Sequence, residues 1–302
     1  MHALLKDKGE HLAAPAVLRA TLFVVLAACG FGSISVLMVI GHRHGLTLAL
    51  AMTWRYLLAT PFLFAIGGPA VRDVTARRAA ALLIVGGLGQ VAISAMSLSA
   101  LRWLDVATLG FLFYTFPAWV ALMSALRGIE RVDARKVVAL ALALSGIVII
   151  VGAPRTAALP VAGVMLALGA AFIYAAYIPL LHWLRGPLSA ATASAFVIAG
   201  AGAAYLAAAV WRGEMHVGLP VAAWGVIGTL AIGCTVVTFI AFLNGLAVLG
   251  PVRTAIISTV EPFYTAVLGA IVLGQPAGPG TLVGGVLIAA AVLLLQRQPT
   301  LP

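Results

Sequence analysis

The chain has 302 residues, of which 63% are hydrophobic and only 9% charged, and its mean hydropathy is +1.15. Ordinary soluble domains carry roughly a quarter charged residues, so one aqueous core cannot hide this much apolar surface, and a soluble fold is excluded. The net charge of +10 does not point to nucleic acid, because the 18 basic residues are spread along the chain and never form a dense stripe.

Runs of about 20 mostly apolar residues, the length that crosses a bilayer as a helix, recur from end to end. Span 1 is expected over 20–41. It is longer than the apolar core of a cleaved signal peptide, and span 2 (47–67) follows almost at once. Span 2 carries Trp54, Arg55 and Tyr56, with Arg55 about eight residues inside. Span 3 (79–99) places Gln90 and Ser94 four apart, on one helix face. Its glycines Gly86, Gly87 and Gly89, with Gly200 and Gly202 of a later span, permit close helix packing. Span 4 (104–126) sets Phe111, Tyr114 and Trp119 around Pro117. Span 5 (136–152) follows the basic loop RGIERVDARK. Span 6 (160–182) holds Tyr174 and Tyr177 three apart. Spans 7 (188–210) and 8 (222–243) are nearly free of charge. Span 9 (251–273) contains Ser258, Glu261, Pro262 and Tyr264, and span 10 (279–296) ends the series.

The expectation is an all-α integral membrane protein of ten transmembrane helices with short loops. With the N-terminus in the cytoplasm, the inner side collects thirteen basic residues, from Lys6, Lys8 and Arg19 to Arg297. The outer side collects four, Arg43, Arg102, Arg155 and Arg212. Such an excess places both termini in the cytoplasm. Trp103, Trp183 and Trp211 fall near span ends and read as interfacial anchors. Cys29 and Cys234 lie inside apolar segments and read as small buried hydrophobes.

An internal repeat refines this picture. Residues 100–130, ALRWLDVATLGFLFYTFPAWVALMSALRGIE, align without a gap to residues 245–275, GLAVLGPVRTAIISTVEPFYTAVLGAIVLGQ, at an offset of 145. Pro117 meets Pro262, and Phe116 meets Glu261. A weaker pair sets CGFGSISVL from Cys29 against AFIYAAYIPL from Ala171. The two units are 20–152 and 160–296, each of five helices. Five is odd, so the second unit is inverted, and the loops agree. RGIERVDARK follows Pro117, whereas the uncharged QPAGPG follows Pro262. Inverted repeats suit alternating access around a midplane site.

FGSISVL in span 1, Trp54-Arg55-Tyr56 in span 2, TFPAWVALMSAL in span 4 and EPFYTAVLGAIVLGQ in span 9 resemble the drug/metabolite transporter superfamily, in its EamA-type branch. The family motif closes such runs with Leu-Gly-Glu, where this chain has Gly-Ile-Glu at 128–130 and Leu-Gly-Gln at 273–275. The resemblance implies ten helices, an inverted five-helix repeat and export of small metabolites across the bacterial inner membrane. In overall layout the chain is similar to amino-acid exporters, including the YddG-like aromatic amino-acid exporters.

Glu261 lies some ten residues into span 9, about 15 Å along it at 1.5 Å per residue and hence near the midplane. A carboxylate facing lipid there is costly, so it faces protein, a cavity or a cation, or holds a proton. It can carry a proton, bind a substrate ammonium or pair with a base, for which Arg55 is the natural partner. Gln90, Ser94, Tyr114, Tyr174, Tyr177, Ser258 and Tyr264 are the other candidates to line a solute path or to bond neighbouring helices. Pro262 removes a backbone hydrogen bond and is expected to free the Ser258 carbonyl, as Pro117 does for Phe113, which makes both prolines hinge candidates.

The partners expected are a small-molecule substrate, amino-acid-like, and membrane lipid, and one chain encloses enough helices to act as a monomer. No metal-ligand pair, dinucleotide fingerprint or Walker motif occurs, so no cofactor or metal is expected. Rival readings are cationic drugs or other metabolites as cargo, a channel, and a membrane enzyme or structural membrane protein. Multiply anionic cargo is disfavoured, because Arg55 and Arg253 are the only basic candidates for a deep site.

Overall fold

The computed structural model describes residues 14–100, 102–104, 106–128, 132–151, 160–274 and 278–296. Glu130 and Gln275, which close the two repeat runs, lie outside them, as do Lys6, Lys8, Arg131, Arg155 and Arg297.

All regular structure among the described residues is helical. The chain begins with α1 (Ala14–Arg43) and α2 (Leu48–Gly67). A third rod follows, made of α3 (Ala76–Ala81), a π turn (Leu82–Gly86) and α4 (Gly87–Ala100). Next come α5 (Val106–Phe113), α6 (Phe116–Leu126), α7 (Ala134–Val151), α8 (Val161–Arg185) and α9 (Ala190–Trp211). Then α10 (Val221–Ala231), a second π turn (Ile232–Val237) and α11 (Thr238–Ile257) run on as one rod, followed by α12 (Val260–Leu273) and α13 (Pro279–Gln296).

Six runs are long and apolar enough to cross a membrane: 15–43, 48–71, 76–97, 161–185, 190–211 and 221–257. Phe116–Leu126, Val260–Leu273 and Pro279–Leu295 are shorter apolar helices. The protein is therefore an all-α, multi-pass integral membrane protein. Its outer surface fits lipid. Leu126, Ile271, Leu282 and Val286 are all exposed. Trp103, Trp183 and Trp211 are also exposed, at or near helix ends, as interfacial anchors would be.

Local chemistry marks the helix ends. Thr47 Oγ1 accepts the Leu50 N–H at 3.2 Å, and Ser189 Oγ accepts that of Thr192 at 3.1 Å. Gly274, at φ 67°, ends α12 in the left-handed region that disfavours a side chain. Gly250 has φ 77° inside α11, so the rod 221–257 bends at the residue where the sequence separates spans 8 and 9.

Two expected spans are interrupted. Span 4 breaks at Tyr114–Thr115, between α5 and α6, and span 9 breaks at Ser258–Thr259, between α11 and α12. At the offset of 145 these breaks differ by one residue, and each precedes a proline. The orphaned backbone is partly repaired locally, because Thr115 Oγ1 donates to Leu112 O at 2.7 Å and Thr259 Oγ1 to Ile256 O at 2.6 Å. The Ser258 carbonyl is not left free, contrary to expectation. The break turns the Glu261 N–H onto it at 3.0 Å, so a three-residue bond replaces the four-residue one that Pro262 lacks.

The two expected units do not pack as separate bodies. The closest helix pairs run between them: α7 with α13, α2 with α9, α1 with α11, and α4 with α8. The glycines act in this packing. A Cβ on Gly87 would lie 2.6 Å from the Gly200 carbonyl carbon, and one on Gly200 would strike the Leu83 carbonyl. Gly200→Ala therefore forces helices apart. It is expected to cost about 1–3 kcal/mol, as overpacking does. A lowered unfolding midpoint in detergent checks it, with Gly225→Ala as control, where an added Cβ meets nothing within 4 Å.

Candidate functional site

Six helices converge on a cavity of about 240 Å³. Helix α1 contributes Phe31, Ile34 and Ser35, and α2 contributes Met52, Arg55 and Tyr56. From α4 come Gln90, Ile93, Ser94 and Ser97. Phe113 of α5, Tyr174 of α8 and Glu261 of α12 complete the wall. The cavity thus holds a guanidinium, a carboxylate, an amide, three hydroxyls of serine and several rings.

Arg55 is buried, at 3% exposure, and its setting is specific. Its Nε–H donates to Thr235 Oγ1 at 2.6 Å, and an Nη2 hydrogen goes to the Cys234 carbonyl at 2.9 Å. Nη1 lies 3.7 Å from Met52 Sδ, and the guanidinium carbon sits 5.1 Å from the Tyr56 ring centroid. The π turn makes this possible. There the Thr238 N–H bonds Thr235 O and not the Cys234 carbonyl that a regular α-helix would give it. The Thr235 hydroxyl donates to Leu230 O at 2.8 Å, so its lone pairs are turned to Arg55. Of the three roles open to Glu261, the ion pair with Arg55 is not formed: neutral oxygens of the π turn hold the guanidinium instead. A guanidinium has five N–H donors, and two go to these oxygens.

Glu261 heads α12 across the cavity. Its carboxyl lies within hydrogen-bonding reach of the Tyr114 hydroxyl, at the break between α5 and α6. Gly32 lets α1 approach here, since a Cβ would stand 3.1 Å from Glu261 O, and Thr265 Oγ1 donates to Gly32 O at 3.1 Å. Phe113 and Tyr174 give the cavity an aromatic floor. Phe113 stacks on Tyr174 at 5.6 Å, and Phe116 meets Tyr174 at 4.7 Å. On the α4 side, Gln90 Nε2 donates to the Tyr56 hydroxyl at 3.4 Å and Ser94 Oγ to Gln90 O at 2.8 Å.

Of the candidates read from sequence, Arg55, Gln90, Ser94, Tyr174 and Glu261 line this one cavity, and Tyr114 reaches Glu261 beside it. Three stand elsewhere. Tyr177 donates to Gly86 O at 2.9 Å and ties α8 to the first π turn. Ser258 donates back to Thr254 O at 2.9 Å. Tyr264 faces a second cleft and meets Ser33 at 3.3 Å. Pro117 and Pro262 are buried beside the two breaks. The sequence reading missed Ser97, although Gln90, Ser94 and Ser97 step along one helix face by four and then three. It also missed Thr235, which carries no motif. No group of three metal-ligating side chains occurs among the described residues.

The model of the EamA-like transporter family matches residues 18–152 and 161–297. The chain belongs to the EamA-like transporter family. That family is a class of transporters and not of enzymes, which agrees with a solute-sized cavity inside the membrane. No curated protein matches the sequence. A solved crystal structure with 18% sequence identity covers 91% of this chain and 95% of its own, at a TM-score of 0.78, which supports the fold of this family member.

Proposed function

We propose that this EamA-like protein is a secondary transporter of the bacterial inner membrane that exports amino acids or similar zwitterionic metabolites by alternating access. The observation that carries the reading is the pair of Arg55 and Glu261 on one cavity, opposite in charge and not joined to each other. Arg55 offers a fork to a substrate carboxylate, and Glu261 offers a negative charge to its ammonium. The rings of Phe31, Phe113 and Tyr174 suit an apolar or aromatic side chain, the cargo class of YddG-like exporters. A purely cationic drug fits less well, because it would have to share the cavity with Arg55.

The architecture proposed is ten spans in two inverted five-helix repeats, with both termini cytoplasmic. It is supported by the two matched stretches of the family model, by the paired breaks near 114 and 259, and by the pattern of packing. Helix α2 packs on α9 and α7 on α13, each the repeat partner of the other, while α1 with α11 mirrors α8 with α4. In this orientation the cavity lies in the outer half of the bundle and the aromatic floor seals it from the cytoplasm, which is an outward-facing state. Inward opening would part Phe113, Phe116 and Tyr174 about the breaks beside Pro117 and Pro262.

Counterflow in proteoliposomes tests the reading. Vesicles loaded with one unlabelled amino acid should accumulate labelled amino acid from outside, with saturation. Folded protein that gives no counterflow with any amino acid in a broad panel would refute the amino-acid assignment. Flux that never saturates would instead mark a channel.

A further inference from the structure

A second cleft, of about 420 Å³, lies across α1 from the Arg55–Glu261 cavity. The two spaces share walls. Phe31, Ile34 and Ser35 of α1 face the cavity, whereas Cys29, Gly30 and Ser33 face the cleft. Cys234 of the π turn lines the cleft while its carbonyl holds Arg55.

The chemistry of the cleft differs from that of the cavity. Its hydroxyls are already engaged. Ser33 donates to Cys29 O at 2.9 Å, Thr229 to Gly225 O at 2.9 Å and Thr238 to Gly233 O at 2.8 Å. The Tyr264 hydroxyl meets Ser33 Oγ at 3.3 Å. Among the described residues no charged side chain lines it. An entering molecule therefore meets hydrocarbon, and a polar solute would lose its hydration without replacement bonds.

The rim is apolar and turned outward: Leu26 is 48% exposed, Val237 44% and Val272 47%. Gly30 lies near the middle of α1, so the opening is at the depth of acyl chains. The other half of the molecule shows the same place filled. Under the repeat correspondence, Gly30 and Tyr264 match Phe172 and Trp119. Those two rings pack edge to face at 5.8 Å. At Gly30 an added Cβ would strike Thr238 Oγ1, so Thr238 takes part of the space that Phe172 fills, and the cleft opens beside it.

We infer that the cleft between α1, the second π turn and α12 is a binding site for one acyl chain of a bilayer lipid. The chain lies against Gly30, Gly233 and Leu268 and braces the π turn that holds Arg55. The comparison with Phe172 and Trp119 rests on the proposed repeat. The test below involves no transport, so this inference and the proposed function can fail separately.

The full chain is placed in phosphatidylcholine nanodiscs that contain a minor fraction of lipid with a mid-chain diazirine. After illumination, adducts are mapped by peptide mass spectrometry. Adducts are expected to be several-fold more frequent on the cleft segments 26–40 and 264–272 than on the equivalent surface around Trp119 and Phe172. Gly233→Leu adds a side chain where a Cβ meets nothing within 4 Å, and should lower cleft labelling several-fold without changing labelling near Phe172. Leu268→Trp fills the cleft from the facing helix and should act alike. Equal labelling of the two surfaces in the unaltered protein would overturn the site. So would unchanged cleft labelling in either folded variant.

Discussion

Arg55→Gln is expected to raise the half-saturation for amino-acid counterflow by at least about 30-fold, the loss of roughly 2 kcal/mol or more that follows removal of one partner from a desolvated charge pair. The guanidinium is buried among neutral partners, and no carboxylate pairs with it among the described residues. Burying a charge without a countercharge is costly, so the site is prepared for an anion. Substrate carboxylate would supply that countercharge on arrival. Arg55→Lys keeps the charge but loses the planar fork, and should restore only part of the affinity. Thr235→Val removes the acceptor for Nε–H and leaves the charge in place. It should weaken binding less, by about 1 kcal/mol or some fivefold, through a less well held guanidinium. Substrate analogues separate this role from a structural one. The decarboxylated amine, relieved of repulsion by the guanidinium, should bind the folded Arg55→Gln protein at least as well as it binds the parent. Equal loss for the amine and the amino acid would sink the assignment of Arg55 to the carboxylate.

This prediction depends on a feature that no motif in the sequence announces. The placement of Arg55 in an apolar run is legible, since a base at that depth needs a partner. The identity of the partner is not. Sequence reasoning favours opposite charge, so Glu261 looks like the natural candidate. The structure gives Arg55 to a π turn, and such turns arise from packing between helices, not from a local composition rule. Thr235 is an ordinary threonine until the turn points its lone pairs at span 2. The helix breaks were more accessible. Pro117 and Pro262 sit at matched repeat positions, and the lost backbone bond predicts a break near each. What the prolines did not reveal is that the Ser258 carbonyl would be reclaimed by the Glu261 N–H. That bond fixes where α12 begins and so aims the carboxylate. The tyrosines show the same divide. Tyr174 and Tyr177 stand three apart on α8, yet one lines the cavity and the other bonds Gly86 O, because α4 covers only part of that face.

Glu261→Gln is expected to raise the half-saturation for amino acids on the order of 100-fold, because about 2–5 kcal/mol rides on a buried charge pair and the amide retains hydrogen bonding but no charge. The deaminated carboxylic acid gives the opposite result. In the parent protein its single negative charge meets Glu261 without an ammonium to offset it. The variant should therefore bind this analogue at least as well as the parent does. The rival role, a proton carrier, predicts a different pattern. Gln resembles the protonated carboxyl and cannot release a proton. Exchange of labelled for unlabelled amino acid involves no net proton movement and would survive, while accumulation driven by a pH gradient would be lost. Phe116 occupies the corresponding place in the first half, so a proton site at Glu261 has no counterpart there and coupling would rest on one carboxyl. Tyr114→Phe removes the hydroxyl within reach of that carboxyl. Under the ammonium reading it frees Glu261 to bind cation and should change amino-acid affinity far less than Glu261→Gln does. Retained exchange together with lost gradient-driven uptake in Glu261→Gln would move this residue from substrate binding to proton coupling and leave Arg55 as the one charged contact to the cargo.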